Sequence, residues 1–449
     1  MDAKRRKFIK QLGITTGSAF AMMALEPFKV FANDSTPVLN GEGDNRMTYR
    51  VQHGTGEQIS LLGFGMMRLP RDNQELVNQL VDYAIAHGVN YFDTAPMYGG
   101  GLNEGITGKA LSRHPRSSYF VATKMSNYDK RTWPLEESKK MYENSFKDLC
   151  VDHIDYYLLH GVGQGGMDNL RGRFLDNGLL DFLVAEREAG RIRHLGFSYH
   201  GDVEVFDWLI DNNDKYHWDF VQIQMNFLDW RHASLSKGGW KQDADAEYLY
   251  NKLDKNGIQV VVMEPLRGGS LTRMPEEYSS QLNSVRPDAP VSQWAFRWVG
   301  SHPNILTTLS GMNQMEHLIE NVATHSPLEL CTEAENELLE KIADGMAGIP
   351  VIPCTSCAYC MPCPYGVDIP GNFSFYNEAV NNGLLPLPET AAPDYTTRHE
   401  RLVTEYRMTL TAENRANQCV DCENCLSKCP QQIRIPNQLA RINQLMRRR

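Results

Sequence analysis

The sequence predicts an α/β protein: a (β/α)8 barrel followed by a smaller, loop-rich and helical cysteine module. Two observations carry this. From about Met47 to Pro327 a short β-rich run followed by a helical stretch recurs eight times. After about Cys331 that alternation stops, and eight cysteines fall in two tight runs of four. A length of 449 residues suits one large and one smaller domain. The expected division is an export segment over 1–32, a linker over 33–46, a barrel over 47–330 and the cysteine module over 331–449.

The chain opens with "MDAKRRKFIKQLGITTGSAFAMMALEPFKVFA". Lys4, Arg5, Arg6, Lys7 and Lys10 form a basic start. A mildly apolar run of small residues follows, and Val30-Phe31-Ala32 is similar to a small-residue cleavage site. The Arg-Arg pair followed by Phe8, Ile9 and Lys10 resembles a twin-arginine signal, which implies the twin-arginine (Tat) export machinery as a partner and a periplasmic or exported location. The alternative is a basic amphipathic tail on a cytoplasmic protein. The apolar run is too weak and interrupted to span a bilayer stably. Residues 33–45, "NDSTPVLNGEGDN", are polar and Gly-rich, as linkers are.

The eight β-rich runs are "ISLLGFG", "VNYFDTAP", "SYFVATKM", "IDYYLLHG", "IRHLGFSYH", "FVQIQMN", "IQVVVMEPL" and "ILTTLSGM". They are nearly continuous apolar segments, as strands buried on both faces should be. Helical periodicity lies between them, for example over Gln74–His87, Leu135–Leu149 and Val291–Gly300. A doubly wound sheet would want a Gly-rich phosphate turn after its first strand, and "GFGMMRLP" matches one poorly. In a (β/α)8 barrel the reactive side chains sit at the carboxyl ends of the strands. Those ends supply Asp93, Lys124 and His160, with Tyr98 just beyond the second strand. A lone Asp there is commonly a helix cap, and a lone His commonly structural. Four titratable residues on one rim suit proton transfer coupled to carbonyl reduction. The ammonium is expected to lower the tyrosine pKa from its ordinary ~10, so that the phenol acts as general acid.

"FDTAPMYG", "VATKM", "YYLLHG" and "GFSYHG" resemble the signature segments of the aldo-keto reductases, and the similarity runs from about Met47 to Asn321. The resemblance implies a (β/α)8 barrel, a small-molecule carbonyl substrate, NADH or NADPH, and a catalytic Asp–Tyr–Lys–His set at Asp93, Tyr98, Lys124 and His160. It implies cofactor contacts at Gly65, Met66, Ser198, Gln222, Met263, Arg267, Gly311, Glu320 and Asn321. Four positions depart from the family. Tyr199 replaces its usual Asn, Met263 its stacking aromatic, and Gly311 and His317 its phosphate-gripping cations. That favours NADH over NADPH, or no soluble nicotinamide. In "MEPLRGGSL", Arg267 could clamp a pyrophosphate with Gly268 and Gly269 admitting close approach; the alternative is a turn with an exposed Arg. The aromatic-rich loops Tyr128–Pro134 and Asp229–Trp240 could line a sugar or ring pocket, or simply pack.

The cysteine runs are C354-x2-C357-x2-C360-x2-C363-P and C419-x2-C422-x2-C425-x3-C429-P. Thiolates at every third residue suit an iron–sulfur cubane. Zinc competes, since Cys-x2-Cys pairs also build structural zinc sites. Zinc does not call for a third cysteine at the next step, nor for the trailing Cys-Pro. The module resembles a two-cluster bacterial ferredoxin. That likeness implies two [4Fe–4S] clusters with the fourth cysteine exchanged: Cys354, Cys357, Cys360 and Cys429 on one, and Cys419, Cys422, Cys425 and Cys363 on the other. It also admits a redox partner protein. The long insert 364–418 departs from the family and should carry helices near Phe373–Asn382 and Glu400–Met408. Cys150 and Cys331 stand apart and read as small buried hydrophobes. A net charge of −10 argues against nucleic acid as a partner.

Overall fold

The computed structural model describes residues 38–39, 47–233, 244–385 and 395–447. The expected signal and nearly all of the linker lie outside the described residues, as does most of the 229–240 loop. A three-stranded antiparallel sheet comes first: β1 (Val38–Leu39), β2 (Thr48–Val51) and β3 (Gln58–Ser60). Eight parallel strands then close a barrel: β4 (Leu62–Gly65), β5 (Tyr91–Asp93), β6 (Phe120–Met125), β7 (Ile154–Val162), β8 (Ile192–Tyr199), β9 (Phe220–Gln224), β10 (Gln259–Met263) and β11 (Ile305–Ser310). β11 pairs with β4 to complete the ring. Each of the eight runs in the sequence is one barrel strand.

Strand alternation sorts the side chains. Tyr91, Ala122, Tyr156, Leu158, Phe220, Val261 and Leu306 form the interior cluster, while Phe92, Val121 and Leu159 pack outward on the helices. All nine residues of β7 are buried, as a parallel strand covered on both faces requires. The interior is filled rather than open: the Tyr156 ring lies 4.9 Å from Tyr91 and 5.1 Å from Phe220, and stacks on His194 at 4.6 Å. The β2–β3 hairpin is tied to the amino-terminal end of the barrel. Ile59 joins the interior cluster, the Gln259 amide donates to the Val51 carbonyl at 2.9 Å, and His194 meets Glu57 at 2.7 Å. That end is sealed, so the carboxyl rim is where side chains remain available.

Helix Glu333–Ala347 begins beyond the expected boundary at 330, yet Leu339, Ile342 and Ala343 pack into the barrel's outer core. A Thr332–Glu335 capping box starts it, and the buried Arg297 holds Glu335 at 2.7 Å. The cysteine module has its own core from helices Ile369–Asn381, Tyr395–Thr409 and Ile435–Leu445. The first two extend the helices expected near 373–382 and 400–408. Ser35–Arg449 forms one compact unit. Cys150 differs from expectation: it is exposed, in a left-handed conformation that ends helix Leu135–Leu149. Among the described residues, no helix is long and apolar enough to cross a membrane.

Glu104 is buried outside the barrel wall and accepts a hydrogen bond from Thr123 at 2.5 Å. Burial pushes its carboxyl up from 4.5 to about 7. A carboxyl raised on folding adds stability below its unfolded pKa and loses it as pH rises through the folded value. Wild type should therefore lose up to about 3 kcal/mol between those two values. Glu104→Gln should flatten that decline, read as the shift of the urea midpoint with pH.

Candidate active site

Three adjacent strands bring the rim residues together. Asp93 ends β5, Lys124 lies in β6 and His160 in β7. Tyr98 opens a tight turn whose next three residues, Gly99, Gly100 and Gly101, all have positive φ. Side chains are strained there, so this glycine run is what lets the chain double back and leave Tyr98 over the barrel. Lys124 donates to Asp93 at 2.6 Å and to the Thr94 carbonyl at 2.8 Å. Its ammonium lies 5.0 Å from the centre of the Tyr98 ring, and that ring meets His160 edge-on at 5.5 Å. All four residues are buried.

The electrostatics differ from the sequence expectation at Tyr98. Its pKa is raised well above 10, first by burial and then by the Asp93 and Tyr128 oxygens; Tyr359 opposes the rise by hydrogen bonding. Lys124 does not depress it, because the ammonium is engaged by Asp93 and the Thr94 carbonyl. Burial lifts the Asp93 carboxyl and lowers the Lys124 ammonium, with their mutual attraction opposing both. His160 is held well below 6.5 by burial and by the Lys124 and Arg173 cations. The set therefore holds a neutral phenol and a neutral imidazole. Ser126 bonds His160 Nδ1 at 2.7 Å; with the hydroxyl donating, Nε2 carries the proton and can donate to a carbonyl oxygen.

Several residues here gave no signal in the sequence. Arg173, on a π-turn over Arg171–Leu175, donates to the His160 carbonyl at 2.7 Å and lies 4.3 Å above the Tyr128 ring. Tyr128 meets His160 at 5.3 Å. Of the two aromatic loops, 128–134 thus reaches the site, whereas Trp230 packs away from it on Trp298 and Tyr250. Tyr359 comes from inside the first cysteine run: its ring lies 6.3 Å from that of Tyr98, and its hydroxyl donates to the Met67 sulfur at 3.7 Å.

The implied dinucleotide contacts differ in how far the protein itself engages them. Ser198 and Gln222 are buried neighbours on β8 and β9, and the Gln222 carbonyl oxygen lacks a partner; Ser198 is engaged by the Gly161 amide at 2.9 Å. Tyr199 points outward, bonded to the Gly201 carbonyl and packed on Phe206. Gly65 and Met263 end their strands at the rim, but Met66 is buried in the outer core. Asn321 turns inward to Ser310 at 3.0 Å, and Glu320 accepts from Ser292 at 2.5 Å. Gly311 faces the Arg68 side chain. Arg267 is no exposed clamp: it is buried with the Asp229 carboxylate 3.3 Å away, and its Nε and Nη2 make no hydrogen bond. The chain approaching Gly268 is its own. A Cβ there would stand 2.3 Å from the Thr355 carbonyl oxygen, at a φ of +65°. Arg68 fastens that segment, donating to the Thr355 and Ser356 carbonyls at 2.5 and 3.1 Å.

The eight cysteines divide across the two runs. Burial pushes Cys429 up to about 12, with Cys357 and Cys354 adding to it. Cys360 is raised by burial and then by Cys357, Cys354 and Cys429. Burial pushes Cys425 up to about 11, with Cys419, Cys422 and Cys363 adding to it. Cys360, Cys363, Cys419, Cys422 and Cys425 line one hollow. Both runs share an unusual backbone. Ser356 and Ala358 flank Cys357 with positive φ, as Asp421 and Glu423 flank Cys422. Such non-glycine residues are costly, and here they wrap each run around a common centre. The Ser356 amide donates to the Cys354 sulfur at 3.4 Å. Among the described residues no group of three or more His, Cys, Asp or Glu could hold a metal ion; five of the thiols stand around one hollow instead. Four thiols and inward amides fit a [4Fe–4S] cluster, which supplies one-electron transfer when bound.

A closed parallel barrel with a buried carboxylate–ammonium pair, a phenol and an imidazole on its carboxyl rim defines an oxidoreductase. The chain belongs to the aldo/keto reductase family, whose model matches residues 61–344. A 4Fe-4S dicluster domain model matches residues 353–434. L-galactose dehydrogenase of Arabidopsis thaliana is 26% identical over 305 residues, 63% of this chain and 90% of that protein. Protein tas of Escherichia coli (strain K12) is 30% identical over 341 residues, 66% and 97% respectively. An aldo-keto reductase from Bacillus halodurans, in its holo form, shares the fold with a TM-score of 0.54 at 24% identity, covering 66% of this chain and 96% of that one.

The grouping of thiols has a direct consequence. Cys363→Ser should give the same loss of cluster signal as Cys419→Ser, not the loss seen in Cys360→Ser, when the purified variants are compared by iron content and low-temperature EPR. Matching phenotypes for Cys363→Ser and Cys360→Ser would mean that each run holds its own cluster.

Proposed function

We propose that the protein is an exported oxidoreductase that interconverts a carbonyl and an alcohol on an aldehyde, ketone or sugar, with Tyr98 as the general acid and base. The observation that carries this is the buried Asp93–Lys124–Tyr98–His160 set, with the phenol held protonated over the barrel mouth. In the reductive direction the C=O π bond breaks, the carbon takes two electrons and a proton supplied by the reductant, and the oxygen takes the Tyr98 proton. His160, neutral, donates to the same oxygen and orients the substrate. Lys124 and Asp93 fix the phenol from below and keep the net charge near zero. Burial excludes water from the reacting oxygen.

The basic and apolar order of residues 1–32 supports export through the twin-arginine route, which carries proteins already folded around their cofactors; the periplasm is then the expected location. The eight cysteines support two [4Fe–4S] clusters. Holding NADPH is a property of a solved Klebsiella pneumoniae aldo-keto reductase. In this chain the covered Gly268 turn speaks against a bound dinucleotide. The same cover favours a second reading, an iron–sulfur electron-transfer protein that uses the barrel as a docking scaffold. The complete tetrad favours the enzyme.

Tyr98→Phe separates the two. It should lower carbonyl turnover by about 100-fold or more without changing iron content; unchanged turnover would remove the enzyme reading. For wild type, kcat/KM for reduction should stay flat from about pH 7 to about 9, because Tyr98 titrates above its ordinary ~10 and His160 below its ordinary ~6.5.

A further inference from the structure

The segment from Cys354 to Cys360 lies on the mouth of the barrel at three points. The Thr355 backbone rests on the Gly268 turn. Arg68, just past the first barrel strand, holds the Thr355 and Ser356 carbonyls. Tyr359 lies against Tyr98 and Met67. Farther along the module, the buried Gln431 donates to Gln224 at the end of β9 at 2.9 Å. The module is therefore a wall of the active site.

The turn it covers is the Arg267–Gly269 turn, the candidate pyrophosphate clamp of the sequence. Arg267, the cation of that turn, is buried beside Asp229 with Nε and Nη2 unbonded, the Thr355 backbone covers the Gly268 beside it, and Gly311 and His317 provide no Lys or Arg in the segment after β11. The module also has a direction. The set with Cys354, Cys357, Cys360 and Cys429 stands at the barrel. The other set opens outward: Cys422 is exposed, and so are Tyr365 and Val420 beside it. Cys360 belongs to the inner set, borders the outer hollow, and is bonded to Tyr359. Surface, outer thiols, inner thiols, Tyr359 and Tyr98 thus follow one another in that order.

We infer that the Cys354–Cys360 segment takes the place of a soluble nicotinamide dinucleotide in this barrel, so that the electrons for carbonyl reduction enter one at a time through the cysteine module from a small one-electron carrier protein. The inference rests on the carbonyl reading above and changes its reductant. In the balanced step the carbonyl group takes up two electrons and two protons, and its C=O double bond becomes the H–C–O–H of a single alcohol product. The carrier protein is oxidised twice, one electron each time. One proton leaves the Tyr98 hydroxyl for the carbonyl oxygen, the second reaches the carbon side from water, and water reprotonates Tyr98.

The test uses the full chain, purified anaerobically with its clusters. NADH and NADPH are titrated in by calorimetry up to about 1 mM, the upper range of working substrate constants. Separately, the protein is reduced photochemically with deazaflavin, and glyceraldehyde is added while the visible absorbance is followed. No saturable dinucleotide binding is expected. The bleached absorbance should return with glyceraldehyde, and should return at least ~100-fold more slowly in Tyr98→Phe. Saturable binding of either dinucleotide overturns the inference, and so does absorbance that stays bleached beside the aldehyde. Failure of the carbonyl reading looks different: neither the reduced protein nor a dinucleotide then converts glyceraldehyde to glycerol.

Discussion

The Asp93–Lys124 ion pair is the constraint on which the rest of the site depends. Two charges taken from water cost several kcal/mol each, and survive only when paired and hydrogen-bonded. Here the pair closes at 2.6 Å, with the Thr94 carbonyl taking a second ammonium proton. Because the ammonium is satisfied, it lends little to a phenolate. Tyr98 sits above the pair in a buried position where ionisation is unfavourable, and His160, facing two cations, stays neutral. The result is a site poised to give a proton rather than to hold a charge.

The same pairing of charges governs the mouth of the barrel. Arg267 is buried beside Asp229, and Arg68 is used on the Thr355 and Ser356 carbonyls. Their partner surface is the module itself. Its cysteine loops carry four left-handed non-glycine residues at equivalent places, each costing on the order of 1–3 kcal/mol. Thiolate–metal bonds are large enough to offset such strain, and metal binding to such loops is coupled to folding. Barrel and module are therefore joined energetically as well as in space: a chain that loses its clusters should lose the loop geometry that places Thr355 and Tyr359.

Much of this was legible in the sequence, for identifiable reasons. Parallel strands buried on both faces must be apolar along their whole length, so "IDYYLLHG" and "IQVVVMEPL" announced themselves. The rim residues followed from strand ends, and the exchange of Cys363 and Cys429 is what a family likeness implies. What was not legible depends on contacts distant in the chain. Ser126 orients His160 from 34 residues away, and Arg68 reaches Ser356 across 288. Tyr359 lies between cysteines that draw the eye, and nothing local shows that it faces Tyr98. The sign of the Tyr98 shift was misread because proximity to Lys124 was legible, whereas burial and the ammonium's other partners were not. The burial of Arg267 was likewise illegible, since Asp229 beside it lies on a different loop.

The ionisation of Tyr98 tests the central claim most directly. The cluster-loaded protein and its Tyr98→Phe variant can be titrated side by side and their ultraviolet difference spectra compared. The structure calls for no phenolate difference band until the pH passes the ordinary tyrosine value of ~10. A band rising near neutral pH would show that Lys124 stabilises the phenolate after all, and would contradict a site built on a self-satisfied Asp93–Lys124 pair.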